Sequence, residues 1–169
     1  FELELKAGSP VLEVRVTVDN QAESHRLRLL VPGQENEGFS VSDNQFGRIR
    51  RPVRDEAMDV WEKEGWSERP DSIYPFLSWV SGCGERGLAV LTNSVREYEM
   101  NGPDYGVLAV TLFRSVGVLG KEGLLRRPGR PSGIKMETPD SQLRGSRTYE
   151  IALTACRDHL ARTAKEYVT

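Results

Sequence analysis

From Leu12 to Asp19 the chain alternates without a break. Leu12, Val14, Val16 and Val18 fall on one side, and Glu13, Arg15, Thr17 and Asp19 on the other. Successive side chains of a strand point to opposite faces, so this is the period of a half-buried β-strand. The β-branched valines suit the pleated surface as well. Asp19-Asn20 then supplies turn chemistry. Residues 25–31, His25-Arg26-Leu27-Arg28-Leu29-Leu30-Val31, alternate again until Pro32-Gly33 stops the run. The two segments are able to pair antiparallel, with Glu13 and Asp19 beside Arg26 and Arg28 on the solvated face. Each such cross-strand charge pair contributes roughly 0.2–1 kcal/mol.

The same pattern predicts strands over residues 38–43, 73–80, 88–92, 95–100, 107–114 and 148–154, separated by stretches containing Gly and Pro. Two long segments, 51–71 and 121–147, carry no strand pattern. The first holds Trp61 and Trp66 among many charges, and the second is punctuated by Gly and Pro. One helix is predicted at the end, where Leu160, Ala164 and Tyr167 or Val168 form a single stripe. Many short strands with turn signals between them indicate an all-β sandwich or barrel with one short C-terminal helix, not a βαβ fold.

With 169 residues, the chain is long enough for one domain with a sizeable core, read here as residues 1–169. The formal net charge of -2 offers no basic excess for a phosphate backbone, so nucleic acid is not an expected partner. No apolar run approaches the length needed to span a bilayer, so no membrane partner is expected either. Cys83 and Cys156 are too few for a disulfide framework. They read as free thiols in a reducing compartment, with a single bridge as the alternative. No Asn-x-Ser/Thr sequon occurs, which favours a cytoplasmic or bacterial setting. Phe1-Glu2-Leu3-Glu4-Leu5-Lys6 already alternates, so the chain is expected to be a fragment cut from a longer protein.

Self-contained chemistry is not legible. His25 and His159 stand far apart, and neither CxxC, HxH nor HExxH spacing occurs, so no metal site is expected in this chain. Gly-x-Ser-x-Gly is absent. Ser81-Gly82-Cys83-Gly84 reads as a tight turn, and a lone Cys83 shows no base beside it. Gly117–Lys121 lacks Walker-type spacing. With 25 Asp and Glu residues, no pair is marked out for glycoside hydrolysis. Trp61, Trp66, Tyr74, Phe76 and Trp79 cluster within about twenty positions. An exposed aromatic can stack on a sugar, but burial in a core is the commoner fate. No catalytic residue is assigned.

Longer stretches carry more specific information. Leu12-Glu13-Val14-Arg15-Val16-Thr17-Val18-Asp19-Asn20 followed by His25-Arg26-Leu27-Arg28-Leu29 resembles the opening of the C-terminal β-domain of bacterial glycoside hydrolase family 38 α-mannosidases. Asp43-Asn44-Gln45-Phe46-Gly47 with Arg51-Pro52-Val53 continues the likeness. So do Ile73-Tyr74-Pro75-Phe76 and Glu85-Arg86-Gly87-Leu88-Ala89-Val90-Leu91-Thr92-Asn93. Glu97-Tyr98-Glu99, Leu112-Phe113-Arg114-Ser115-Val116-Gly117, Arg127-Pro128-Gly129 and Tyr149-Glu150-Ile151-Ala152-Leu153 follow in the same order.

This resemblance implies a large antiparallel β-sandwich of the galactose-mutarotase-like supersandwich type. It implies a non-catalytic piece of a retaining α-mannosidase, inactive alone, whose loops help close the sugar site. The nucleophilic carboxylate and the ligands of a divalent metal, usually zinc, are expected in a missing N-terminal catalytic domain. The expected partners are that domain and the α-mannoside substrate. By the same resemblance Arg114 occupies a position near the bound mannoside and is the one substrate-binding candidate; its planar fork suits hydroxyls or a carboxylate. The alternative reading is a stand-alone carbohydrate-binding or interaction module.

Overall fold

The computed structural model describes residues 1–35, 37–82, 87–155 and 159–169. Its strands are β1 (Glu2–Glu4), β2 (Leu12–Asn20), β3 (Arg26–Pro32), β4 (Phe39–Asn44), β5 (Gly47–Pro52), β6 (Ile73–Pro75) and β7 (Trp79–Ser81). They continue with β8 (Ala89–Leu91), β9 (Glu97–Asn101), β10 (Val107–Arg114), β11 (Val118–Leu119), β12 (Met136–Glu137) and β13 (Gly145–Thr154). A single α-helix, α1 (Leu160–Val168), closes the described chain. A seven-stranded sheet, ordered β1-β2-β13-β8-β7-β4-β5, faces a four-stranded sheet, ordered β3-β10-β9-β6, and β11 and β12 form a separate ribbon. Every pairing is antiparallel. The architecture is therefore the expected antiparallel β-sandwich with one short C-terminal helix.

The two sheets meet on the residues that the alternation put on the apolar side. Val14 and Val16 of β2, and Tyr149 and Ile151 of β13, pack against Val31, Tyr98, Leu108 and Val110 of the smaller sheet. Burying each of these side chains fully contributes about 1.5–3 kcal/mol. Tyr98 is fully buried and shares a 2.8 Å hydrogen bond with the Ser40 hydroxyl, so its phenol is not left unpaired. The outward faces carry Arg15 between Glu2 and Glu150, and Thr17 beside Thr148.

The expected hairpin between residues 12–19 and 25–31 does not form. β2 pairs with β1 and β13, whereas β3 pairs with β10 in the opposite sheet. The link between them crosses from layer to layer and is pinned as it goes. The Asn20 amide donates to the carbonyls of Gln142 and Leu143, and the Ser24 N–H donates to Gln142 Oε1 at 2.7 Å. The His25 N–H donates to Ser115 Oγ at 3.0 Å. Two strands that each have one apolar face satisfy their period equally well beside each other or across a core, so alternation cannot choose. Glu13 accordingly pairs with Lys6, not with an arginine of β3.

Residues 73–80 form two strands in different sheets, not one. β6 lies beside β9, and β7 lies between β4 and β8. The break is held by Asp43. Its carboxylate accepts from the N–H groups of Leu77, Ser78 and Trp79 and from the Ser78 hydroxyl. Pro75 has no N–H with which to continue a ladder. Segment 51–71 also has more structure than the sequence indicated. It begins within β5, makes a 3-10 turn over Glu56–Asp59 capped by Asp55, and buries Val53 and Trp61. In segment 121–147, β12, a 3-10 turn over Pro139–Gln142 and the start of β13 appear.

A second apolar cluster lies on the far side of the seven-stranded sheet. Helix α1 covers it with Leu160 and Ala164, seated against Val11, Trp79, Leu91 and Ala152. The helix stripe read from the sequence is the one that packs. His159 precedes α1 in a left-handed conformation, φ 75°.

Candidate functional site

Arg114 ends β10, and a β-bulge decides where it points. The β10–β3 register slips between Thr111 and Phe113. Leu112 and Phe113 consequently both reach the core. Arg114 is returned to the outer face shared by Thr111, which strict alternation would have denied it. Bulges re-aim side chains in this way. On that face the Arg114 guanidinium grips Glu97 of β9 with Nη2 at 2.9 Å from Oε2 and Nε at 3.1 Å from Oε1. Thr111 donates to the same carboxylate at 2.6 Å. The Arg114 side chain remains 47% exposed.

The neighbouring charges continue this arrangement. Arg28 and Arg26 of β3 reach across β10 to Glu99 of β9, at 2.7 and 3.1 Å, and Arg26 also lies 3.7 Å from Glu97. Ala109 and Thr111 of β10, the strand between β3 and β9, are buried. Two further charged segments are tied to each other. The Arg69 N–H donates to the Arg126 carbonyl at 2.8 Å, Arg126 pairs with Asp71, and Arg127 pairs with Glu68. Burial, and the charges of Arg69 and Arg26, hold the Arg126 guanidinium below its usual range. Arg69 Nε is buried with no hydrogen-bond partner.

The remaining sequence candidates fall elsewhere. Trp61, Phe76 and Trp79 are buried, whereas Trp66 is 42% exposed. Arg51 reaches Ser42 Oγ and lies 5.5 Å from the Tyr74 ring. His25 Nδ1 lies 2.9 Å from Ser115 Oγ, and the imidazole stands edge-on to Phe113. Cys83 and Cys156 lie outside the described residues, as does part of the 81–84 turn. A cleft of ≈ 790 Å³ opens beside α1, lined by Phe39, Val41, Asp43, Trp79 and Leu160 among others, on the face away from Arg114. Among the described residues no group of three or more His, Cys, Asp or Glu side chains is placed to hold a metal ion. Nor is any helix among them long and apolar enough to cross a membrane.

The family model of the glycosyl hydrolases family 38 C-terminal domain matches residues 1–118. The chain belongs to that family. A protein of Halalkalibacterium halodurans bearing the name "Putative mannosylglycerate hydrolase" is 32% identical over 127 residues, which is 75% of this family 38 domain but 13% of the relative. An α-mannosidase of Enterococcus faecalis V583 superposes with a TM-score of 0.66 at 26% identity, over 86% of this domain and 14% of that chain. A second Enterococcus faecalis protein, described as belonging to glycosyl hydrolase family 38, gives 0.63 at 25% identity with the same coverage. The domain thus spans about one seventh of the length of the proteins it resembles.

The sequence singled out Arg114 but not the set of charges around it. A signal for them was present. Glu97 and Glu99 alternate on one strand, and Arg26 and Arg28 on another, so each pair shares a face. Setting residues 25–31 beside residues 12–19 hid the true partners of these arginines.

Proposed function

We propose that this domain is the non-catalytic C-terminal β-domain of a retaining α-mannosidase acting in the bacterial cytoplasm. In this reading it packs against the catalytic portion of the same protein, helps close the sugar site and is inactive alone. The catalytic carboxylates and a divalent metal, zinc being the expected ion, belong to that other portion; the metal's role there is to orient the substrate and stabilise developing charge. The described residues offer no ligand set for such an ion.

The observation that carries a substrate role for this domain is the Arg114–Glu97 pair. Glu97 fixes the guanidinium through two of its donors, which leaves the rest of the fork partly open to solvent. A pre-oriented guanidinium loses less entropy on binding a sugar hydroxyl than a free one. In the full-length enzyme, Arg114→Ala is expected to lower kcat/KM on α-mannosides by about tenfold or more with the fold retained. Unchanged kinetics would remove Arg114 from the site. Millimolar or tighter binding of mannose or mannobiose by the 169-residue chain alone would instead favour a stand-alone carbohydrate-binding module.

A further inference from the structure

The two sheets of the sandwich differ in width, seven strands against four. The smaller sheet ends at β3, which pairs with β10 on one side and with no described strand on the other. β3 follows β2 after residues 21–25 alone, and Val31 shares a core cluster with Val14 and Val16. β1, beyond β2, therefore overhangs the edge of the smaller sheet. The register shows which side of β1 is left bare. Leu3 stands opposite Val14, so the two side chains share the inner face. Phe1 and Leu5 flank Leu3 at the period of that face, whereas Glu2 turns outward to Arg15. Val14 is 4% exposed, but Phe1, Leu3 and Leu5 are 81%, 66% and 70% exposed. Leu27 and Leu29, on the inner face of β3, are only partly buried as well.

Free sheet edges in soluble proteins are commonly blunted by charges that point inward. Here three large apolar side chains point inward at the overhang instead. Every second residue of β3 also directs its N–H and C=O away from β10, as in any antiparallel edge. Such a ledge fits one more strand. Hydrogen-bonded along β3, it lies beneath β1 and covers the bare stripe, while its main-chain bonds satisfy the open edge. The relatives have chain enough to provide it, since this domain matches about one seventh of their length. We propose that a β-strand from outside residues 1–169 of the longer protein pairs with the free edge of β3 and seats alternate apolar residues on Phe1, Leu3 and Leu5. Resting on the reading of the domain as one part of a larger glycosidase, this makes the sandwich core incomplete until another stretch of the same chain joins it.

The test is hydrogen exchange at residue resolution in the full-length protein. The amides of β3 that face away from β10 should exchange at least about 100-fold more slowly than unstructured chain, as ladder-bonded amides do. Leu3→Asp, which puts a charge on the bare stripe, should speed their exchange about tenfold or more. Glu4→Gln, on the outer face of the same strand, should leave it at the parent rate. Fast exchange at these amides in the unaltered protein overturns the proposal, whether or not Leu3→Asp folds. So does protection that vanishes on dilution, which assigns the edge to a second copy of the chain. Mannosidase kinetics do not enter this readout. An active enzyme with unprotected β3 amides sinks the added strand and leaves the glycosidase reading standing, and an inactive protein with protected ones does the reverse.

Discussion

Glu97 and Arg114 meet through two parallel contacts, 2.9 and 3.1 Å, across neighbouring strands of the smaller sheet. The pair exists because a bulge in β10 turns Arg114 outward one residue later than alternation requires. Bidentate geometry orients the guanidinium as well as pairing it. Because the arginine is nearly half exposed, the stabilising contribution is small, about 0.5–1 kcal/mol. Glu97→Gln should therefore lower the midpoint of urea unfolding only slightly. In the full-length enzyme the same change should lower mannosidase kcat/KM in the direction of Arg114→Ala. Parent-like kinetics in Glu97→Gln would show that the orientation of Arg114 is unimportant.

Asp43 gathers several hydrogen bonds on one carboxylate. One carboxylate takes three backbone N–H groups and one hydroxyl at the corner where the chain leaves the small sheet for the large one. Hydrogen bonds to a charged group contribute about 1.5–3 kcal/mol each, and stranding buried donors adds to the loss. Asp43→Ala should destabilise the domain by about 2–4 kcal/mol, with Asp43→Asn between it and the parent. Equilibrium unfolding in urea measures both, and a loss below about 0.5 kcal/mol would show the corner to be held by packing alone.

Tyr98 and Ser40 provide a bond in the core. Both are fully buried, and the hydroxyls lie 2.8 Å apart. Tyr98→Phe keeps the ring contacts with Tyr74 and Phe76 and removes only that bond. It should cost about 1–2 kcal/mol, whereas Tyr98→Ala, which opens a cavity, should cost about 3–5 kcal/mol. Thermal melts of the two variants against the parent separate the polar from the packing contribution.

Alkali should unfold the domain more readily than its charge suggests. Burial raises the phenols of Tyr74, Tyr149 and Tyr167 above their ordinary value of 10.0. The folded form therefore holds these protons more tightly than the unfolded chain. The stability they contribute is complete below pH 10 and is lost as pH rises through the folded values, since unfolding then releases protons. Melting temperature should fall as pH rises through and above about 10, in step with phenolate absorbance. A melting temperature that is flat from pH 9 to about 11.5 would contradict this.

The strands themselves were readable because period two belongs to the backbone. Val14 and Val16 had to face a core, and the stripe of Leu160 and Ala164 had to cover one. Residue order alone also gave the likeness that led to Arg114. Three things were not readable in this way. Which strand lies beside which depends on contacts distant in sequence: Asn20 with Gln142 and His25 with Ser115 send β2 and β3 to opposite sheets. The split of residues 73–80 depends on the Asp43 carboxylate, about thirty-five positions earlier, which satisfies N–H groups that a continuous strand would have used. The facing of Arg114 depends on a bulge, a one-residue slip that alternation does not record. The sequence thus determined which side chains needed a core. Tertiary structure decided which charges share a face, because only folding brings Arg26 and Arg28 of one stretch and Arg114 of another to Glu97 and Glu99 of a third.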